Sequence, residues 1–317
     1  MAVDLDKGPE GSRLPNGRII ELAGRGAAFV REVPGPPGAP AVVLLHGLTA
    51  TADLNWSACF DPLGRSFRVL APDLRGHGRS PRSWARFTLE DCADDVAALA
   101  DAVGVDRMIA VGYSIGGLVA QLVWHRRPEL VTGLVLCATA ADFRASPVER
   151  LMLMSVPTFG VAIRFMPPVF QGGTELVGAA LFGHVTDDLT RRWMSAEMRR
   201  ADLATVIDAG CAAASFTSRR WIGEVDVPTA VVITSRDRVV PPTRQVQLAR
   251  TIPGATIHPV DADHGACIAQ PQLFVPTLVQ ACRSVADRSW GDLTARDGNG
   301  PTGHAGGSFD GAGTGAG

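Results

Sequence analysis

The stretch Arg107-Met108-Ile109-Ala110-Val111-Gly112-Tyr113-Ser114-Ile115-Gly116-Gly117-Leu118-Val119-Ala120 decides the reading of this chain. Arg107 to Gly112 is a short, continuous apolar run, the pattern of a strand buried on both faces of a parallel sheet. From Ile115 the sequence opens a helix. Between them, Gly112-Tyr113-Ser114-Ile115-Gly116 matches G-x-S-x-G in the strand–turn–helix setting that this motif requires. Such a turn holds the serine in a strained backbone conformation, so its neighbours must be small. Gly112 and Gly116 meet that need, and Gly117 lets the helix pack closely.

Outward from this turn, short apolar runs alternate with helical patterns, the signature of an α/β sheet. Arg18 to Leu22 and Ala27 to Glu32 read as a hairpin turning at Gly24-Arg25-Gly26. Ala41 to Leu45, Phe67 to Ala71, Val131 to Cys137, Thr229 to Thr234 and Ala255 to Val260 read as further strands. Thr88 to Val103 is a helix, with Leu89, Cys92, Val96, Leu99 and Val103 on one stripe. Ile115 to His125, Thr243 to Thr251 and Ala266 to Val285 are the other helices expected. The alternation stops between Thr139 and Trp221, a Leu-, Met-, Phe- and Ala-rich stretch with Pro and Gly breaks that reads as a mainly helical insertion. Residues 1–17 are polar and expected to be flexible. The Gly-rich tail over 287–317 has few large apolar groups to offset chain entropy and is expected to be disordered.

The whole chain has 317 residues, 46% hydrophobic and 20% charged, with a formal net charge of -2. A core of full size is possible, and no block of like charge favours nucleic acid or an anionic membrane. The six cysteines lie in apolar stretches without metal-ligand spacing and read as buried hydrophobes in a reducing compartment. The N-terminus lacks the apolar core of a signal peptide. Leu151 to Phe170 is the most apolar long stretch, but Pro157, Arg164, Pro167 and Pro168 interrupt it, which argues against a membrane span. A cytoplasmic location is the expectation.

A serine hydroxyl attacks only with a base beside it, and the base needs a third group to orient it. His264 in Asp261-Ala262-Asp263-His264-Gly265 follows the last strand, where open α/β sheets place reactive groups. Asp237, after the penultimate strand, is the candidate acid, and Asp142, after the Val131 to Cys137 strand, is the reserve. The order Ser114, Asp237, His264 reproduces Ser…Asp…His. The N–H groups of Ile115 and Leu48 are the natural pair to face an oxyanion. His46 reads as an organiser of the Leu48 loop.

Five motifs in order, Val43-Leu44-Leu45-His46-Gly47, Asp73 to Ser80, Gly112 to Gly117, Asp237 to Pro241 and Asp263-His264-Gly265, make the chain resemble the α/β-hydrolase superfamily over about residues 18 to 286. The resemblance implies an α/β fold with a mostly parallel eight-stranded sheet and a helical lid after the sixth strand. It divides the chain into a core over 18–138 and 222–286 and a lid over 139–221. It implies that Arg75 and His77 are structural, and that no cofactor or metal is needed. The serine sets the chain apart from the branches that attack with aspartate. It implies a carboxylic ester hydrolase working through an acyl-enzyme, with a small-molecule ester substrate. Alternatives sharing the triad are lactone or enol-lactone opening, C–C bond hydrolysis, cofactor-free perhydrolysis and, without turnover, ligand binding. The apolar side chains of 151–182, among them Met154 and Phe165, suit a lipophilic acyl group or form the lid's own core. Trp56 and Tyr113 are further candidates for substrate binding: Trp56 lines the acyl pocket or packs, and Tyr113, at the variable elbow position, supports the site rather than taking part in the chemistry. Oligomeric state is left open by the residues.

Overall fold

The structure, a computed structural model, describes residues 14–82, 86–143 and 188–297, with the backbone alone for Asp188 and for residues 290–297. The runs that read as strands form one eight-stranded sheet. In chain order these are β1 Gly17–Leu22, β2 Gly26–Val33, β3 Ala41–Leu45, β4 Arg68–Pro72, β5 Met108–Tyr113, β6 Val131–Cys137, β7 Thr229–Thr234 and β8 Thr256–Val260. Their order across the sheet is β1-β2-β4-β3-β5-β6-β7-β8. β2 is antiparallel to both β1 and β4, and every other pair is parallel. The expected hairpin turns at Gly24 and Gly26, whose φ angles of 70° and 92° are open to glycine at little cost.

Side chains alternate across each strand and build two cores. Val42, Leu44, Ile109 and Val111 face one side, with Trp56, Phe60, Phe274 and Leu278. Val43, Leu45 and Ala110 face the other, with Leu89, Val96, Leu118 and Val119. The register pairs Leu45 with Gly112 and Tyr113 with Cys137. It thus brings the carboxyl ends of β3, β5 and β6 level, which is where the loops carrying the motifs emerge.

The described helices are α1 Ala52–Trp56, α2 Phe60–Gly64, α3 Leu89–Ala102, α4 Ile115–Arg126, α5 Asp188–Met198, α6 Leu203–Ser215, α7 Pro242–Thr251, α8 Ala266–Ala269 and α9 Pro271–Asp297. Thr88 caps α3, its hydroxyl accepting from the Asp91 N–H at 3.0 Å. The single helix expected over Ala266 to Val285 is corrected to two, α8 and α9. Gln270, at φ -137° and ψ 52°, leaves the helical region because the ring of Pro271 disfavours it there.

Two boundaries are also corrected. Leu14 is buried in the core and the Pro15 carbonyl accepts from Arg31, so ordered packing begins before residue 18. At the other end α9 runs past 286 to Asp297. Ser289 is buried and donates to the Thr132 carbonyl at 2.7 Å, and Arg288 donates to that of Thr229 at 2.9 Å. Polar bonds to the sheet hold this turn, a signal that an apolar count does not register.

The insertion leaves after β6 and returns before β7, contributing α5 and α6. Its two ends are joined: Asp142 bridges Thr217, and the Ser218 N–H donates to the Ala141 carbonyl at 2.8 Å. Trp193, Met194 and Met198 of α5 pack on Ala50 and Leu54 of the core. Met154, Phe165 and the rest of 144–187 lie outside the described residues, as do 1–13 and 298–317. Among the described residues no helix is long and apolar enough to cross a membrane.

Candidate active site

β5 runs straight into α4 with Ser114 as the turning residue, at φ 52° and ψ -118°. An L-residue rarely adopts this conformation, and surrounding structure has to impose it. The Ser114 N–H is held by the Cys137 carbonyl at 2.9 Å. A Cβ on Gly112 would strike the backbone of Gly116, and one on Gly116 would strike that of Leu45. Both glycines are therefore required by close backbone approach, as the motif implied.

The chain brings three distant side chains to this turn. His264 Nε2 lies 3.1 Å from Ser114 Oγ, and His264 Nδ1 lies 2.7 Å from Asp237 Oδ2. All three residues are buried. Asp237 is held on four sides. Its Oδ1 accepts from the Val239 and Val240 N–H groups, both at 2.8 Å. Its Oδ2 accepts from the Thr234 hydroxyl at 2.7 Å and from Gln245 Nε2 at 3.2 Å. A carboxylate so bonded has one orientation, and it points an oxygen at the imidazole. The imidazole then donates from Nδ1 and presents Nε2 to the serine, the tautomer a general base needs.

Asp142, the reserve acid, is not beside His264. It sits at the root of the insertion, ion-paired with Arg219. The carboxylate on the imidazole is that of Asp237.

Gly47 approaches the Ser114 turn, its hypothetical Cβ falling 3.6 Å from Ser114 Cβ. Its N–H is fixed by Asn55 Oδ1 of α1 at 3.0 Å. The next amide, Leu48, takes part in none of the loop bonds that hold its neighbours. Ile115 is the first residue of α4, where an N–H has no intrahelical acceptor. Among the described residues neither the Leu48 nor the Ile115 N–H has a backbone acceptor.

His46 is fully buried, with Nδ1 against the Gly47 carbonyl at 2.8 Å and Nε2 accepting from the Leu74 N–H at 2.9 Å. Burial and the adjacent His77 press its pKa down to about 3. A neutral ring with both nitrogens engaged ties the Gly47 loop to the Leu74 loop and does no proton transfer. His77 is likewise buried, with its pKa lowered to about 4, and Arg75 is salt-bridged to Asp95. Both are structural, as the resemblance implied.

Trp56 and Tyr113 have essentially no exposed surface. They meet edge to face at 6.2 Å, and both rings stand against Phe274. Trp56 packs in the core among the described residues. Tyr113 has a further role that the elbow pattern does not announce. Its hydroxyl donates to the His264 carbonyl at 2.7 Å. Thr234 and Gln245, which grip Asp237, were also missed. The one signal available was their spacing from Asp237, three residues before and eight after.

Similar proteins agree with this architecture. An uncharacterized protein of Mycobacterium tuberculosis is 28% identical over 69% of this chain and 67% of its own. A hydrolase from Pseudomonas aeruginosa superposes with a TM-score of 0.73 at 23% identity, covering 84% of this chain and 98% of its own. A thermophilic esterase from Thermogutta terrifontis superposes at 0.71 with 24% identity, covering 86% and 99%. These two share the fold. The profile of the alpha/beta hydrolase fold family matches residues 40–271. That match spans β3 to the start of α9 and takes in every residue of the Ser114–His264–Asp237 arrangement, so this chain belongs to the alpha/beta hydrolase fold family and carries an enzyme's catalytic geometry.

Proposed function

We propose that the protein hydrolyses carboxylic esters through an acyl-enzyme on Ser114. The observation that carries this reading is the unbroken relay Ser114 Oγ–His264 Nε2 at 3.1 Å and His264 Nδ1–Asp237 Oδ2 at 2.7 Å. Ser114 Oγ bonds to the ester carbonyl carbon while His264 takes its proton. The tetrahedral oxygen collects negative charge between the Leu48 and Ile115 N–H groups. Collapse breaks the bond to the alkoxide, which leaves with the proton from His264. Water, deprotonated by His264, then attacks the acyl carbon and releases the acid and free Ser114. Asp237 holds the ring and offsets the charge of the imidazolium. Every step uses this chain's own groups and water.

The acyl group we assign is lipophilic. The apolar composition of 151–182, including Met154 and Phe165, supports it. So does the apolar contact of α5 with Ala50 and Leu54, next to the Leu48 loop. Fluorophosphonate labelling followed by a p-nitrophenyl ester series of graded acyl length tests both parts. Labelling should fall on Ser114. Burial of one methylene is worth about 0.8 kcal/mol, roughly fourfold in affinity, so kcat/KM should climb with chain length until the pocket fills. Met154→Asp and Phe165→Asp should flatten that climb and spare acetate ester turnover. A flat profile in the intact protein rejects the lipophilic assignment in favour of a small polar ester or a lactone. An unlabelled Ser114 rejects the hydrolase reading.

A further inference from the structure

Glu197 is a carboxylate from the insertion with none of its side chain exposed. It reaches across the domain to the loop that carries Leu48. The Thr51 hydroxyl donates to Glu197 Oε2 at 2.8 Å. Arg200 Nε donates to Glu197 Oε1 at 2.9 Å, and Arg79 Nη1 stands 3.4 Å from Oε2. Arg79 also pairs at 2.8 Å with Asp53, which Arg31 grips through Nε and Nη2.

The Thr51 hydroxyl has a second task. It caps α1, accepting from the Leu54 N–H at 3.0 Å. α1 in turn holds the Leu48 loop through Asn55, whose Oδ1 takes the Gly47 N–H at 3.0 Å. Thr49, inside that loop, sits at φ 61°, a left-handed conformation that costs a β-branched residue free energy. A loop so strained keeps its shape only when bonds at both ends impose it. One end is the Asn55 bond to Gly47. The other is held at Thr51, whose hydroxyl donates to Glu197, and at Ala52, whose N–H donates to Asp73 Oδ1 at 2.7 Å.

We infer that Glu197 is a positioning residue for the oxyanion-binding loop: through Thr51 and α1, the insertion sets where the Leu48 N–H stands relative to Ser114. This rests on the assignment of the Leu48 N–H as an oxyanion donor. The alternative is that Glu197 only anchors the insertion. The two differ in which kinetic constant they move. An anchor shapes the acyl site and shows in KM. An oxyanion-loop support is felt in the transition state and shows in kcat, with KM unchanged.

The test is steady-state kinetics of Glu197→Gln on an acetate ester, together with the affinity of a boronic acid that forms a tetrahedral adduct on Ser114. A displacement of about an ångström at a catalytic group costs on the order of a hundredfold. We expect kcat to fall by about ten- to a hundredfold, the boronate affinity to fall by a similar factor, and KM to stay within about twofold. Thr51→Val should reproduce the loss, Thr51→Ser should restore it, and the double variant Thr51→Val/Glu197→Gln should be little worse than either single change. This second series carries the test if Glu197→Gln does not fold. A rise in KM with kcat and boronate affinity intact overturns the inference, as does a fully active Thr51→Val. The wild-type protein is labelled with fluorophosphonate in parallel. Failure of Ser114 to label removes the serine-hydrolase reading itself, whereas labelling with unchanged variant kcat removes only the role of Glu197.

Discussion

The hydroxyl of Tyr113 donates to the backbone carbonyl of His264 at 2.7 Å, so the residue beside the candidate nucleophile holds the loop of the candidate base. The two lie 151 positions apart in the chain. The bond is buried, and the ring is fixed against Trp56 and Phe274. Spacing between serine and imidazole is thereby set by the backbone as well as by the side chains.

Tyr113→Phe leaves the ring packing and strands one buried carbonyl. We expect a stability loss of about 1–3 kcal/mol in urea titration. kcat should fall by about threefold to tenfold with KM unchanged, because His264 gains freedom at its Cα. An unaltered kcat would show that Asp237 alone suffices to place the ring.

Ser114→Ala and His264→Ala should each lower ester turnover by around a millionfold, and the double variant should be little worse, because the groups act as a unit. Stability should change little. A Ser114→Ala protein with most of its activity would remove the acyl-enzyme from consideration.

Asp237→Asn keeps the shape of the acid while offering the wrong hydrogen-bonding group to His264 Nδ1. A loss of roughly ten-thousandfold in kcat is expected. Asp142→Asn, which loosens the ion pair with Arg219 at the root of the insertion, should leave the chemistry of acetate esters nearly untouched. Measuring both by kcat on the same ester separates the two acids.

The ordinary imidazole pKa of 6.5 holds for His77 in the unfolded chain, and burial lowers it to about 4 in the folded protein. The folded state thus binds fewer protons between these values. The stability this contributes is present above pH 6.5 and is lost as pH falls toward 4. His77→Asn keeps a donor for the Arg75 carbonyl and removes the titration. Between pH 7 and pH 4 the wild type should lose on the order of 3 kcal/mol more than His77→Asn in denaturant titrations. Equal losses in the two proteins would mean that His77 does not titrate in this range.

The strands, the elbow and the order of its chemical groups were legible in the residues, because each rests on short-range physics. A continuous apolar run such as Val131 to Cys137 has few stable fates besides a strand covered on both faces. A serine at an imposed φ above zero demands small neighbours, and Gly112 and Gly116 supply them. The break between α8 and α9 is equally local, since Pro271 constrains Gln270.

Partners set by the path of the chain were beyond that reach. Asp142 and Asp237 both follow a strand of the parallel part of the sheet. Only the placement of β7 and β8 beside β6 puts Asp237 on His264, and the returning insertion gives Asp142 to Arg219 instead. Trp56 became a core residue because α1 lays it against Tyr113 and Phe274. Ser289 lies in a segment with the composition of a tail, yet one bond to Thr132 holds it on the sheet. Folding buries Glu197 against Thr51, 146 positions away. Periodicity and steric strain act over a few residues, so sequence carries them openly. A hydrogen bond between distant segments exists only once the sheet has assembled and brought both ends together.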